Sequence, residues 1–123
     1  MYYLAETDPR GAMGLGGKEE ISLGNARSYL AAIDYKSGKT VWRHVYPQLG
    51  GPSAGGVLST AGKLVFAGDI SGNLVAYDAA NGKPLWHAYL GTPVSNAPET
   101  YMLDGHQYVL AAAGDTVYSF VLN

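Results

Sequence analysis

Few side chains in this sequence combine the types and the spacing that a chemical site requires. The only three histidines, His44, His87 and His106, show no spacing typical of a pair of metal ligands. The chain has no cysteine, which excludes a thiolate nucleophile, a Cys-based zinc site and a disulfide framework. We therefore expect the histidines to lie on exposed strand surfaces.

Two aspartates and one asparagine are the remaining polar candidates. Asp69 and Asp115 each follow a glycine at the end of a hydrophobic run. Such an Asp commonly accepts hydrogen bonds from turn amides, so turn capping is the first expectation for both. The alternative is that the two carboxylates help to bind a metal ion or a substrate at the central axis of the fold. Asn96 lies at the entrance of the last structural unit and could add one polar contact.

The charge and hydropathy of the chain exclude several classes of partner. The formal net charge is −2 and no basic run occurs, so nothing favours binding to nucleic acid or to an anionic membrane surface. No apolar run approaches the length of a membrane span. The first residues lack the basic and apolar regions of a signal peptide.

An eleven-residue stretch occurs twice, at residues 32–42 and 76–86. Ala, Asp, Gly, Lys and Trp recur at the same internal positions, and each pair lies 44 residues apart. A fixed period in the forties is typical of four-stranded propeller blades. The repeat therefore predicts an all-β fold made of β-propeller blades, each a four-stranded antiparallel sheet.

Three residue types in the repeat have a structural explanation. The Asp can accept hydrogen bonds from turn amides, the Gly allows a positive φ, and the Trp can lie flat between adjacent blades with its indole N–H on a carbonyl. An aromatic platform for a ligand is the alternative for the Trp. We predict a structural docking motif formed by Asp34, Gly38, Trp42, Asp78, Gly82 and Trp86.

Turn signals every 8–12 residues divide the chain into short strands. We expect strands at 2–5, 28–35, 40–46, 57–60, 64–67, 74–78, 84–90, 97–103, 107–113 and 116–122, with Pro47 ending the third. Residues 6–27 read as a long loop with at most a short strand near 21–23. This gives a partial blade at 1–50 with three strands, a complete blade at 51–92, and a last blade at 93–123 that lacks its outer strand.

Such a partial propeller of about two to three blades cannot close into a ring. Repeats bury their faces against neighbours, so an isolated segment leaves both end faces uncovered. We therefore expect the chain to be the C-terminal portion of a longer propeller whose remaining blades are its partners. Alone, residues 1–123 should be poorly folded, aggregated or oligomeric.

The blade at residues 55–86 and the run at residues 98–114 resemble the PQQ-dependent alcohol and methanol dehydrogenases. The eleven-residue copies resemble the tryptophan-docking motif of that quinoprotein family. The resemblance implies an eight-bladed propeller that holds pyrroloquinoline quinone (PQQ), usually with calcium, near its axis and oxidises alcohols or sugars in the periplasm. The catalytic Asp and calcium ligands of such enzymes lie upstream of the matched region, so no catalytic or metal-binding residue is assigned here.

The resemblance also implies four cofactor-facing positions, Ala54, Gly55, Asn96 and Asp115. Two of them depart from the family pattern. Ala54 stands where a Trp often precedes the Gly pair, and residues 115–117 are Asp-Thr-Val where active members commonly carry Gly-Gly-Trp. Both changes remove cofactor-facing aromatic surface. A non-catalytic propeller that acts as a binding scaffold is therefore the alternative function.

Overall fold

A computed structural model of the chain describes residues 2–4, 19–21, 27–49 and 55–122. These ranges contain no helix, and every strand pair in them is antiparallel. The strands are β1 (Tyr2–Leu4), β2 (Glu19–Ile21), β3 (Arg27–Ile33), β4 (Thr40–Leu49), β5 (Val57–Ser59), β6 (Leu64–Gly68), β7 (Asn73–Asp78), β8 (Pro84–Tyr89), β9 (Glu99–Leu103), β10 (His106–Ala113) and β11 (Thr116–Leu122). The all-β prediction is confirmed.

The centre of the described structure is a four-stranded sheet with the order β5-β6-β7-β8. Consecutive strands pair because each connection is a short turn rich in Gly, Asp and Asn. On its two sides lie the two-stranded sheet β3-β4 and the three-stranded sheet β11-β10-β9. This sequential meander is the pattern expected of a propeller blade between two neighbours.

The strands before residue 50 differ from the prediction in number. A fourth strand, β2, pairs with β1 in a separate two-stranded sheet. β2 lies about one repeat length before β6. In the same way, β3 lies one repeat length before β7, and β4 lies one repeat length before β8. A short strand was expected near residues 21–23, and β2 overlaps it at Ile21, but it was not counted among the three strands of the first unit because three residues in a glycine-rich stretch carry a weak periodic signal.

The strand predicted to stop at Pro47 continues to Leu49. Proline cannot donate a backbone hydrogen bond, but an edge strand tolerates it on its unpaired side. Within the described residues β4 pairs with β3 alone, so it is such an edge. A register shift between Arg27 and Tyr29 accompanies the extension.

Strand β7 is buried on both faces because alternate side chains point in opposite directions. Leu74 and Ala76 join the apolar core that includes Val109 and Ala111 of β10. Tyr77, only 1 % exposed, points the other way and meets His44 of β4. The core thus lies between the central sheet and the β9–β11 sheet, and aromatic contacts join the central sheet to β4.

No helix in the described part of the chain has the length and apolar character needed to cross a membrane.

Candidate functional site

The turn of the second repeat copy is fixed by the side chain of Asp78. Its Oδ1 accepts the amide of Ala80 at 2.8 Å, and its Oδ2 accepts the side-chain amide of Asn81 at 2.8 Å. The backbone carbonyl of Asp78 accepts the amide of Gly82 at 2.8 Å. Gly82 has a φ of +72°, which L side chains rarely adopt. The result is a closed turn whose glycine presents bare backbone.

Trp42 of the first copy lies on that bare backbone. A Cβ atom placed on Gly82 would be 2.5 Å from Cε3 of the indole, so the ring occupies the space that a side chain would need. The indole Nε1 donates to the carbonyl of Ala79 at 2.9 Å. One tryptophan therefore joins β4 to the β7–β8 turn through ring packing and a hydrogen bond.

Trp86 of the second copy has a different environment. Its side chain is 42 % exposed, and its ring meets Phe120 edge-on at 5.3 Å between centroids. Among residues 27–49 and 55–122 its indole nitrogen has no hydrogen-bond acceptor. Gly38, the glycine of the first turn, has a φ of +69° and no described atom within 4 Å of a Cβ placed there. Here the Trp and the turn are both uncovered.

The first turn forms the same internal bonds without a tryptophan on it. The hydroxyl of Ser37 and the amides of Lys36 and Ser37 all donate to the carboxylate of Asp34. The hydrogen bond from the Ser37 hydroxyl and the one from the Lys36 amide hold the pKa of Asp34 below its ordinary value, because they favour the ionised form. The turn is thus built locally and does not require docking.

An aromatic and polar cluster reinforces the contact at Trp42. The Tyr77 hydroxyl hydrogen-bonds the Tyr46 hydroxyl, and the His44 ring lies 5.1 Å from the rings of both tyrosines. Burial raises the pKa of both phenols, the adjacent Tyr46 raises the pKa of Tyr77 further, and the charge of Asp69 adds a smaller contribution to both. His44 is partly buried, whereas a surface position was predicted; His87 and His106 are exposed as expected.

Asp69 caps the turn before β7. Its Oδ1 accepts the backbone amide of Asn73 at 2.8 Å, and its Oδ2 accepts the side-chain amide of the same residue at 3.0 Å. Its backbone carbonyl accepts the amide of Val94 at 3.1 Å. The turn-capping explanation holds for this residue, because both carboxylate oxygens serve the turn.

Three of the four positions predicted to face the cofactor, Gly55, Asn96 and Asp115, belong to the described residues and lie in or beside the connection between β8 and β9. A Cβ on Gly55 would lie 3.0 Å from the carbonyl oxygen of Val94, and one on Gly56 would lie 2.3 Å from Cβ of Ala97. The backbone of Gly55 and Gly56 therefore lies directly against residues 94–97, the segment that contains Asn96. Ala54 falls outside the described residues.

Asn96 is exposed in the connection between β8 and β9, and Asp115 is exposed in the turn between β10 and β11. Asp115 accepts a hydrogen bond from the Thr116 hydroxyl at 3.2 Å. The preceding Gly114 faces Thr92, whose hydroxyl would be 3.0 Å from a Cβ placed there. Asp115 thus belongs to a hairpin turn that packs on the beginning of the same connection.

Sequence reasoning missed the residue that organises this region, Val94. It is 2 % exposed, and a Cβ on Gly68 would lie 2.4 Å from its side chain. The signal was weak, because one valine in the stretch Gly-Thr-Pro-Val-Ser has no periodic neighbours. Val94 lies against two glycine-containing segments, at Gly55 and at Gly68, that are distant from it in sequence.

The described residues do not by themselves fit a PQQ and metal site. They contain no group of three or more His, Cys, Asp or Glu side chains that could hold a metal ion. PQQ is a tricarboxylate that needs several donors and a cation, whereas this region presents glycine backbone, one exposed amide and one exposed carboxylate.

A family model described as outer membrane protein assembly factor BamB, which consists of PQQ-type repeats, matches residues 26–121. The chain belongs to this family. The matched range includes both copies of the eleven-residue repeat and all strands from Arg27 onward except the last residue of β11.

Similar curated proteins are quinoprotein alcohol dehydrogenases. The quinohemoprotein alcohol dehydrogenase of Comamonas testosteroni is 49 % identical over 87 residues, which is 69 % of this chain and 12 % of that protein. The 1-butanol dehydrogenase (cytochrome c) of Thauera butanivorans is 47 % identical over 85 residues, which is 69 % of this chain and 12 % of that protein. The chain thus spans about an eighth of the length of these relatives.

Solved structures agree with this family. The quinohemoprotein alcohol dehydrogenase from Comamonas testosteroni has a TM-score of 0.70 at 39 % identity, covering 77 % of this chain and 16 % of that one. A europium-containing methanol dehydrogenase has a TM-score of 0.61 at 32 % identity, and the match covers 68 % of this chain and 14 % of that one. The chain is therefore a portion of a quinoprotein-type propeller.

Proposed function

We propose that this chain is the C-terminal propeller segment of a periplasmic, PQQ-dependent quinoprotein dehydrogenase that oxidises alcohols or sugars. The observation that carries the proposal is the 49 % identity over 69 % of the chain to a quinohemoprotein alcohol dehydrogenase. The chain covers 12 % of that relative, so the catalytic and metal-binding groups would come from the remaining blades.

The segment would have two roles in such an enzyme. The docking motif would hold neighbouring blades together, as Trp42 does on Gly82. Ala54, Gly55, Asn96 and Asp115 would form one wall of the cofactor cavity. PQQ would supply two-electron redox chemistry, assisted by calcium or a lanthanide.

The test is reconstitution of the full-length protein with PQQ and either calcium or a lanthanide, followed by dye-linked oxidation assays across alcohols and sugars. We expect turnover with at least one primary alcohol. Asn96→Ala should weaken PQQ binding, whereas Ser95→Ala, at the neighbouring and also exposed position, should not. An absence of turnover with every substrate and metal would contradict the proposal.

A second candidate is a non-catalytic PQQ-type propeller that serves as a binding scaffold. Two observations favour it: the matching family model is described as an outer membrane protein assembly factor, and Ala54 and residues 115–117 lack cofactor-facing aromatic side chains. Calorimetry of the full-length protein separates the two functions. A scaffold should show no PQQ binding, and a tight one-to-one titration would exclude it.

A further inference from the structure

Five glycines lie against the connection between β8 and β9, residues 90–98. They come from three distant parts of the chain: the segment before β5, the end of β6 with the turn after it, and the turn after β10. A Cβ atom placed on any of them would lie 3.0 Å or less from an atom of residues 92–97, so a larger residue would push against the connection. The five are Gly55, Gly56, Gly68, Gly72 and Gly114.

Three hydrogen bonds hold the same connection. The Leu90 amide donates to the Gly72 carbonyl at 2.7 Å, and the Tyr118 hydroxyl donates to the Leu90 carbonyl at 3.3 Å. The Val94 amide donates to the Asp69 carbonyl at 3.1 Å. Both backbone amides thus bind the turn between β6 and β7, which the carboxylate of Asp69 also closes. The connection is therefore fixed to a closed turn, whereas most connecting segments are mobile.

Two buried residues bracket the exposed part of the connection. Val94 is 2 % exposed and Pro98 is buried, whereas Ser95, Asn96 and Ala97 between them are exposed. The Asn96 side chain makes no hydrogen bond with the described residues, so its amide donors and its acceptor are free for a ligand. A fixed backbone that carries an uncommitted amide meets the requirement for a preorganised contact.

Val94 is engaged through its side chain and through both of its backbone polar groups. A Cβ atom on Gly68 would lie 2.4 Å from both Cβ and Cγ1 of Val94, so this side chain fills the space beside the glycine. Its amide is bound to Asp69, and its carbonyl oxygen would be 3.0 Å from a Cβ on Gly55. Asn96 is two residues further along, so a displacement of Val94 reaches it through about 7 Å of backbone.

We propose that Val94 is the positioning residue for Asn96, and that Asn96 donates its amide to an oxygen of an anionic, oxygen-rich ligand. Seated against Gly68 and bound to Asp69, Val94 keeps the Asn96 amide at one place beside the glycine backbone. The inference rests on the proposed function, in which Asn96 faces the tricarboxylate PQQ. It deepens that function because it assigns a role to a side chain too buried to contact the ligand itself.

The test compares two Gly→Ala variants of the full-length protein. Gly68→Ala forces a Cβ atom into Val94, whereas Gly62→Ala is the matched control, since its added Cβ would lie 3.7 Å from the Thr60 hydroxyl. Hydrogen exchange of residues 90–98 is measured without cofactor, and PQQ affinity is measured by calorimetry with calcium or a lanthanide. Gly68→Ala should speed exchange and weaken PQQ binding about tenfold. Gly62→Ala should leave both within about twofold of the parent protein.

A double-mutant cycle with Asn96 separates positioning from a general structural effect. Asn96→Ala alone should weaken PQQ binding about tenfold, because it removes a hydrogen bond to a charged ligand. In the Asn96→Ala background, Gly68→Ala should weaken binding by no more than about twofold further, since the group that Val94 positions is already absent. Val94→Ala leaves a cavity and no clash, so it tests the same position if Gly68→Ala fails to fold. It should weaken PQQ binding about fivefold and show the same dependence on Asn96.

Three results would overturn the proposal. They are unchanged exchange of residues 90–98 in both Gly68→Ala and Val94→Ala, unchanged PQQ affinity in both, and losses of affinity that simply add to the loss in Asn96→Ala. A full-length protein that binds no PQQ would contradict the proposed function. The positioning of Asn96 would then stand if exchange of residues 90–98 is faster in Gly68→Ala and Val94→Ala than in Gly62→Ala, and it would fall if exchange is the same in all three.

Discussion

The two copies of the repeat share their turn chemistry and differ in what covers them. In both copies an Asp closes the turn and a glycine takes a positive φ. Only at Trp42 and Gly82 do the Trp of one copy and the turn of the other meet. Gly38 and Trp86, the outward-facing halves of the same motif, have no such partner among the described residues. The motif is thus formed locally, and its engagement depends on a neighbouring blade.

The largest expected effect separates the two tryptophans. Trp42→Ala should lower the free energy of unfolding by about 3–5 kcal/mol, because it removes an engaged indole and leaves a cavity. Trp86→Ala should cost about 1–2 kcal/mol, since the side chain is already 42 % exposed. Urea denaturation followed by circular dichroism measures both. Equal losses would show that the two copies have the same environment in solution.

The two turn glycines provide the next comparison. Gly38→Ala should cost about 1–2 kcal/mol, the strain of a positive φ in open space. Gly82→Ala carries the same strain and must also displace the Trp42 ring, which adds about 1–3 kcal/mol. Combining Gly82→Ala with Trp42→Ala should remove the excess. A double-mutant cycle that shows no coupling between these positions would contradict the packing of Trp42 on Gly82.

Tyr46 and Tyr77, which lie beside the Trp42 contact, predict that the free energy of unfolding depends on pH in the alkaline range. The pKa of Tyr77 is raised by burial, so the folded state retains its proton after the unfolded state has begun to lose it. The stabilisation is therefore complete below about pH 10 and decreases as the pH rises above that value. Tyr77→Phe should cost about 1 kcal/mol at neutral pH and flatten the alkaline decrease. Tyr89→Phe, at a 70 % exposed position, is the control and should change neither.

The smallest effect concerns Asp34 in the uncovered turn. Its pKa is lowered chiefly by the Ser37 hydroxyl, so the stabilisation is present above about pH 4 and decreases as the pH falls through the lowered pKa. NMR titration of the carboxyl carbon should give a midpoint below the ordinary value. Ser37→Ala should raise that midpoint, whereas the distant Ser95→Ala should leave it unchanged. An unshifted midpoint in the parent chain would contradict the hydrogen bonds to Asp34.

Several elements of the fold could be predicted because their signals are local. β11 was predicted with its observed bounds, and β5 to β8 were each placed within one residue at either end. Their alternating apolar residues and Gly or Asn turns lie within a few positions of one another. The extension of β4 through Pro47 had no such signal, and the prediction was wrong there, whereas β2 overlaps the short strand expected near residues 21–23 at Ile21 alone.

The residues proposed to face the cofactor show how far the sequence alone can identify a functional site. Gly55, Asn96 and Asp115 were chosen by family resemblance, and each lies at or beside the connection between β8 and β9. Val94, which fills the space beside Gly68, could not be chosen in that way. A buried residue in a connecting segment is identified only by its contacts.

The sequence by itself determined the repeat period, the strand order and the turn chemistry of Asp34, Asp78 and their glycines. These properties depend on residues a few positions apart, where backbone conformation and hydrogen bonding are local. The tertiary structure decided that Trp42 is engaged while Trp86 is half exposed, and that His44 lies between two tyrosines. Those outcomes required sheets distant in sequence to be packed face to face, because burial belongs to the pair of surfaces and not to either strand alone.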